Sequence, residues 1–550
     1  MRQSYDVVVV GAGSAGCVLA NRLTEDAGRR VLLIEAGGSD ADDRVKIPAA
    51  FSQLFRTRFD WSFSTVPQEH VDGRRFEWPR GRMLGGSSSI NAMLYVRGNA
   101  LDYDTWRDVH GCTGWGYADL LPYFIAGEDN ARGASAHHGV GGPLRVEDQR
   151  SPSAFAKAFV EAAAAVGLPR NVDSNGAEQD GVGLFQVTQR RGRRWSAADA
   201  YLRPALDRPG LEVVTHALVT RVLIENGRAI GVEYVADGRA TVVSAGEVVL
   251  SGGAVNSPQI LLLSGLGPAA DLTAHGIPVV ADLPGVGGNL QDHLAAGAIW
   301  RTRNDLYDHE NLRRLMEWQV LGRGPLTSPI AEGCAFVRTR SGLPAPDLQL
   351  HVAPVPFLDN ARSEPAYPGF TIGATLVDVA SRGRLRLAGP DPTWAPLIDP
   401  NYLSERSDLD TLIAGVRLAR EIAGSDPLRE LLVEEMIPGR DARDDDDIAA
   451  AIRADCQTLY HPVGTCAMGV DESAVVDLEC RVRGVDGLRV VDASVMPTVP
   501  RGNTNAPTMT IAERAADLIR GRTPLPAAQA TAPTVVRLAD VAARLVRTDR

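Results

Sequence analysis

The chain has 550 residues, 44% of them hydrophobic, several times the length of a typical domain and ample for a large buried core. A net charge of -11 with no Lys/Arg-rich block argues against a nucleic-acid partner. The six cysteines (Cys17, Cys112, Cys334, Cys456, Cys466, Cys480) lie far apart without CxxC spacing, which argues against a zinc site and a disulfide framework and sets the expectation of a reducing cytoplasm.

Only Met1 to Tyr5 precede the first apolar run, too little for a signal-peptide core or a membrane span, so neither an export signal nor a transmembrane segment is expected. That run, Asp6 to Val10, is β-branched after its opening Asp and leads directly into Gly11, Ala12, Gly13, Ser14, Ala15 and Gly16. The pattern predicts strand, tight turn and helix: Gly11 permits the turn, Gly13 lets backbone approach a pyrophosphate, and Gly16 lets the helix pack on the strand. A second predicted strand, Arg30 to Ile34, ends in Glu35 and Ala36, with the acidic residue at the spacing that meets a ribose hydroxyl. An adenine dinucleotide is therefore expected, although this motif does not separate nicotinamide from flavin.

From Arg44 to Asn99 the chain is rich in aromatic and turn residues, so the dinucleotide sheet is interrupted early. Strands are predicted again at Leu211 to Val214, Val219 to Glu225, Ala229 to Val235 and Val242 to Ser244, then Glu247 to Ser251 before a glycine turn. Leaving the dinucleotide sheet and returning to it is typical of flavoproteins. The run Asp444 to Asp447 reads as the solvated start of a helix, complementing its dipole. Thr508 to Arg520, with Pro507 in the first turn, reads as a helix whose N-terminus aims partial positive charge. No ligand cluster for a metal is expected.

Four separated motifs then agree in order. Gly81 to Asn91 (Gly81, Arg82, Met83, Leu84, Gly85, Gly86, Ser87, Ser88, Ser89, Ile90, Asn91) is followed by Tyr95, Gly98 and Asp104; Gly253, Ala254, Ser257, Pro258, Ile260, Leu261 and Ser264 to Gly267 come next. Pro284 to His293 forms the third, and His461 to Thr465 with Asp492 to Ser494 and Gly502 to Thr508 the fourth. Together these resemble the glucose-methanol-choline oxidoreductases along nearly the whole chain. The resemblance implies an α/β fold: an FAD-binding Rossmann-like domain (1–150, 192–311 and 459–522) interleaved with a smaller α+β substrate domain built on an antiparallel sheet (151–191 and 312–458). Residues 523–550 are read as a Pro/Ala-rich linker and an added tail, in which Val535, Leu538, Val541, Ala542 and Leu545 space as an apolar stripe.

The activity implied is oxidation of an alcohol to an aldehyde or ketone, with His461 as base, Asn505 as its partner and FAD as hydride acceptor. Imidazole suits the task because its ordinary pKa near 6.5 leaves a neutral base at physiological pH. The expected cofactor contacts are Gly11, Gly13, Ser14, Ala15, Gly16, Glu35, Ala36, Arg82, Gly85, Gly86, Ser87, Asn91, Ala92, Val219, Asp492, Ala493, Asn505, Ala506 and Thr508. In the choline oxidase branch a histidine in the glycine-serine loop carries a covalent flavin link; Ile90 stands at the matching position, so the FAD is expected to be noncovalent. Glu332 resembles the carboxylate that faces a quaternary ammonium in choline-oxidising relatives, which would favour a cationic substrate. The implied partners are a small-molecule alcohol, oxygen or a quinone-type electron acceptor, and a second copy of the chain. Two alternatives stay open: a non-redox or light-driven flavoenzyme of the same fold, of the cyanohydrin lyase or fatty-acid decarboxylase type, and a nicotinamide-dependent dehydrogenase.

Overall fold

The computed structural model describes residues 4–303, 312–358 and 367–529. The β-branched strand Ser4–Val10 forms the middle of a seven-stranded sheet, flanked in parallel by Val31–Ile34 and by the distal half of Arg239–Leu250. Leu211–Val214 extends one side, and Leu488–Val490 pairs with Arg239–Leu250, both also parallel. Where two strands were predicted, at Val242 to Ser244 and Glu247 to Ser251, the chain makes the single strand Arg239–Leu250. Its first half pairs antiparallel with Arg228–Ala236 and its second half parallel with Ser4–Val10, so both halves are held in register by neighbours.

Helix Ser14–Leu23 lies against this sheet with eight of its ten residues buried. A side chain at Gly16 would place its Cβ 1.8 Å from the Gly11 carbonyl oxygen, so the helix can approach the strand only as glycine allows. The C-terminal helix Asn505–Ile519 packs beside it and carries Pro507 near its start, where a missing N–H costs nothing.

The second large sheet is antiparallel, ordered Leu432–Ile437, Leu294–Thr302, Gly369–Leu376, Leu348–Ala353, Gly333–Val337, Gly181–Leu184. Strand Leu294–Thr302 belongs here, whereas the sequence reading assigned 192–311 to the dinucleotide domain; its partners Gly369–Leu376 and Leu432–Ile437 are distant in sequence and decide the assignment. Alternation along the strands divides the two faces. Leu348, Leu350, Val352, Phe370, Ile372 and Ala374 pack under helices Ala154–Ala165 and Arg406–Ala423, while His351, Ala353, Thr371, Gly373 and Thr375 turn to the opposite side and line a cavity. The acidic run became helix Asp445–Asp455, with Asp444 accepting from the Asp447 N–H as N-cap. Residues 523–529 run extended past Tyr123 and Ala118, and the apolar stripe expected at Val535 to Leu545 lies outside the described residues.

Candidate active site

One cavity of about 310 Å³ runs from the edge of the parallel sheet to the open face of the antiparallel one. At its dinucleotide end it is lined by Gly11, Gly13, Ser14, Ala15, Glu35 and Ala36. Glu35 is buried and accepts from the Ala12 and Gly37 N–H groups, and its burial raises the carboxyl to about 7. Gly13 meets nothing closer than 4.0 Å where a Cβ would stand, and Gly253 nothing within 4 Å, so backbone is bare toward the cavity at both. Three helices present their first residues here, Ser14, Gly253 and Asn505, and turn their positive dipole ends toward the cavity. Ser14 Oγ donates to Asn505 Oδ1 at 2.7 Å and ties two of these ends together.

The glycine-serine loop forms the next stretch of wall. Gly86 has a φ of +51°, and a Cβ there would stand 2.6 Å from the Gly13 Cα. Gly86, Ser87, Ile90, Asn91 and Ala92 line the cavity, as do Val219, Asp492, Ala493 and Thr508. Asp492 is the N-cap of Ala493–Val495 and also accepts from Ser257 Oγ at 2.6 Å and the Gly253 N–H at 2.8 Å, so one carboxylate joins three segments of this wall. Flat, small-residue walls, a buried acid at the ribose position and converging helix ends fit a dinucleotide with a planar ring. Ile90 has no nucleophilic atom with which to bond it.

Four of the expected cofactor contacts do not face the cavity. Gly16 is consumed by strand-helix packing, Gly85 (φ +86°) turns its open side to Ser89 and Ala198, and Ala506 is buried on the outer side of its helix. Arg82 places its guanidinium 4.7 Å over the Trp61 ring.

The catalytic end is built on the loop Thr458 to His461. Asp292 accepts from the His461 N–H at 2.6 Å, from Thr458 Oγ1 at 2.5 Å and from the Tyr402 hydroxyl, which fixes the loop with Tyr460 in a left-handed conformation (φ +64°). The His461 ring is held at both nitrogens: Nδ1 lies 2.9 Å from His293 Nδ1 and Nε2 lies 3.2 Å from Asn503 Nδ2. With the Asn503 amide donating, Nε2 carries the lone pair, and the single proton between the two Nδ1 atoms belongs to His461. Burial is the main force that holds His461 well below its ordinary range, with His293, His351 and Arg80 adding to it. The imidazole is therefore neutral and able to accept a proton at Nε2.

In the structure the side chain hydrogen-bonded to His461 is that of Asn503, while Asn505, the expected partner, begins its helix with its side chain on Ser14 and lines the same cavity. Glu332 is 1% exposed and does not line the cavity. Its carboxylate accepts from Ser328 Oγ at 2.7 Å and the Ser153 N–H at 2.8 Å, at the start of helix Ala154–Ala165, while the preceding Pro329, Ile330 and Ala331 form the wall.

The sequence reading gave His351 no role and treated His293 as structural. His293 holds the base, and His351 lines the cavity with Nδ1 on Thr375 Oγ1 at 3.0 Å and Nε2 without a protein partner. Asn503 Oδ1 is likewise buried and unpartnered. Position along a strand that alternates faces was the signal available for His351.

A dinucleotide cleft that opens onto a neutral histidine base defines a flavin-type oxidoreductase. The chain belongs to the GMC oxidoreductase family: residues 5–295 and 379–512 match its N-terminal and C-terminal parts. It is 44% identical to an alcohol dehydrogenase [acceptor] of Pseudomonas putida over 94% of this chain and 95% of that one. It is also 44% identical to the mitochondrial choline dehydrogenase of Homo sapiens, over 95% and 90% of the two chains. Among solved structures, pyridoxine 4-oxidase from Mesorbium loti superposes with a TM-score of 0.87 at 35% identity, over 94% of this chain and all of that one. A fungal aryl-alcohol oxidase superposes with a TM-score of 0.81 at 25% identity, over 94% and 99%. The protein is an FAD-dependent enzyme that oxidises the CH-OH group of a small-molecule alcohol.

Proposed function

We propose that the substrate is a neutral, largely apolar primary alcohol, aromatic or aliphatic, oxidised to the aldehyde. The observation that carries this is the wall around His461. Phe51, Phe55, Met93, Ile330, Phe357 and Tyr460 line it, whereas the two carboxylates of the cavity, Glu35 and Asp492, belong to the dinucleotide end. Phe51 and Phe55 pack edge to face at 5.8 Å, and Phe55 and Tyr460 at 5.7 Å, which sets a rigid aromatic floor. Turning Glu332 away removes the charge that would hold a cation. FAD, when bound, supplies the hydride acceptor. His461 Nε2 takes the hydroxyl proton, and the Asn503 amide N–H and the unpartnered His351 Nε2, as donors, orient the oxygen.

One observation favours a second reading. Four aromatic side chains around the chamber offer ring faces to a quaternary ammonium without any carboxylate, as cation-π recognition permits. The experiment is an anaerobic visible spectrum of the holoenzyme before and after adding benzyl alcohol, long-chain alkanols, polyols and choline. Bleaching by benzyl alcohol or alkanols at concentrations where choline is inert supports the proposal. Bleaching by choline alone overturns it. Admitting air to the bleached sample distinguishes oxygen from a quinone-type acceptor. We also place the protein in a reducing compartment, supported by its six free, buried cysteines.

A further inference from the structure

The peptide unit that joins Tyr460 to His461 is gripped at both ends. Its N–H donates to the Asp292 carboxylate at 2.6 Å, and its carbonyl accepts from Arg80 Nη2 at 2.5 Å. Opposite charges therefore stand on opposite ends of one peptide dipole, and hydrogen bonds to charged groups are roughly twice as strong as neutral ones. A peptide unit is planar, so fixing its oxygen and its hydrogen fixes the plane from which the His461 side chain departs. Tyr460 is held at a φ of +64°, a conformation that an L side chain keeps only where its surroundings impose it.

The shape of Arg80 suits this grip. Its Nε donates to the Pro79 carbonyl at 2.7 Å while Nη2 reaches Tyr460, so one edge of the planar fork bridges two carbonyls from segments far apart in sequence. The root of the side chain is fixed as well, since the Arg80 N–H donates to Asp60 Oδ1 at 2.9 Å. Asp292 and Asp60 act on the guanidinium through their charge, without a hydrogen bond to it. Among the described residues, Arg80 is the one arginine or lysine that lines the cavity. A cation there opposes a second positive charge on the imidazole: after burial, and alongside His293 and His351, Arg80 disfavours the protonated form of His461.

We propose that Arg80 is a positioning residue for the base: its guanidinium holds the Tyr460 carbonyl and, through that peptide, aims His461 Nε2 into the chamber. His293 and Asn503, at 2.9 and 3.2 Å from the two ring nitrogens, set the rotation of the imidazole, whereas Arg80 and Asp292 set where the side chain starts. Proton abstraction requires near-contact geometry, and a displacement of about 1 Å costs roughly a hundredfold in rate. The inference rests on His461 as the base and holds whichever alcohol is oxidised.

The test is anaerobic stopped-flow flavin reduction across pH in Arg80→Met, Arg80→Lys and Arg80→Ala, each loaded with FAD and its flavin content measured, with His461→Ala run beside them. In Arg80→Met the limiting reduction rate should fall roughly a hundredfold, while the alcohol concentration that gives half of it changes little. Removing the cation also favours protonation of His461 and Asp292, so the acid limb of this variant should lie at higher pH than the parent's. The remaining titratable groups around the loop, His293, His351, Tyr402 and Asp60, are the same in every variant. Arg80→Lys keeps the charge without the fork, so its reduction should be slow with the acid limb in the parent's place. Guanidinium chloride at millimolar concentration should recover most of the lost rate in Arg80→Ala, saturably, where methylammonium does not. A merely structural arginine would give neither the shifted limb nor the rescue. Parent-like reduction in Arg80→Met, or slow reduction with an unmoved limb and no response to guanidinium, overturns the proposal. Loss of FAD from all three Arg80 variants overturns it too, since Arg80 would then belong to the cofactor. Parent-like reduction in His461→Ala fails the base reading itself, whereas slow reduction there with parent-like Arg80 variants fails this inference alone.

Discussion

Asn503 and Asn505 stand two residues apart, and the structure gives their side chains different hydrogen-bond partners. Replacing Asn503 with Ala removes the amide that lies 3.2 Å from His461 Nε2 and whose Oδ1 has no protein partner. Loss of one preorganised polar group at a reacting oxygen costs about 2.7–4 kcal/mol, or roughly a hundred- to a thousandfold in rate. Replacing Asn505 with Ala removes a 2.7 Å hydrogen bond from Ser14 that joins two helix ends. A single neutral hydrogen bond is worth about 0.5–1.5 kcal/mol, so the loss should appear as a few-fold weaker hold on FAD and a rate within roughly tenfold of the parent. The assay is anaerobic stopped-flow reduction of the bound flavin by a saturating alcohol, with each variant first loaded with FAD and its flavin content measured. Slower reduction in Asn505→Ala than in Asn503→Ala would refute the assignment of Asn503 as the partner of the base.

His461→Ala should keep its FAD spectrum and lose about a hundred- to ten-thousandfold in flavin reduction, and near-parent rates would remove the base assignment. Because burial lowers the His461 pKa, falling pH must pass well below the ordinary 6.5 before Nε2 is protonated, so kcat/KM should show no acid limb near 6.5; a limb centred there would contradict the buried neutral base. Glu332→Gln should shift KM for cationic and neutral alcohols by the same factor, and a selective loss of cationic substrates would restore the carboxylate to the substrate site. Glu332→Ala, which orphans the Ser153 N–H and the Ser328 hydroxyl, should destabilise the fold by about 2–3 kcal/mol in denaturant unfolding. Gly86→Ala has to hold φ at +51° with its Cβ 2.6 Å from Gly13, so the purified variant should carry markedly less flavin per chain; full occupancy would contradict the close approach of the two loops.

The sequence alone determined the elements whose causes are local. The β-branched run into Gly11, Gly13 and Gly16 specifies its strand, turn and helix because glycine is required within a few residues of where it stands. Pro507 and the Asp444 cap mark helix starts for similarly short-range reasons. The family motifs also single out His461 and many residues that line the cavity, since contiguous stretches of chain carry them.

Tertiary structure decided what depends on side-chain direction and distant partners. The pair Asn503 and Asn505 cannot be told apart by spacing, because their roles turn on where the helix begins relative to His461, 42 residues earlier. His293 meets His461 across 168 positions. His351 reaches the chamber because strand pairing with Gly369–Leu376 turns its face of the sheet inward. Glu332 faces away from the chamber because Ser153 and Ser328 claim its oxygens, a contact between segments no linear motif connects. Burial lowers the pKa of His461, and burial is a property of the folded surroundings.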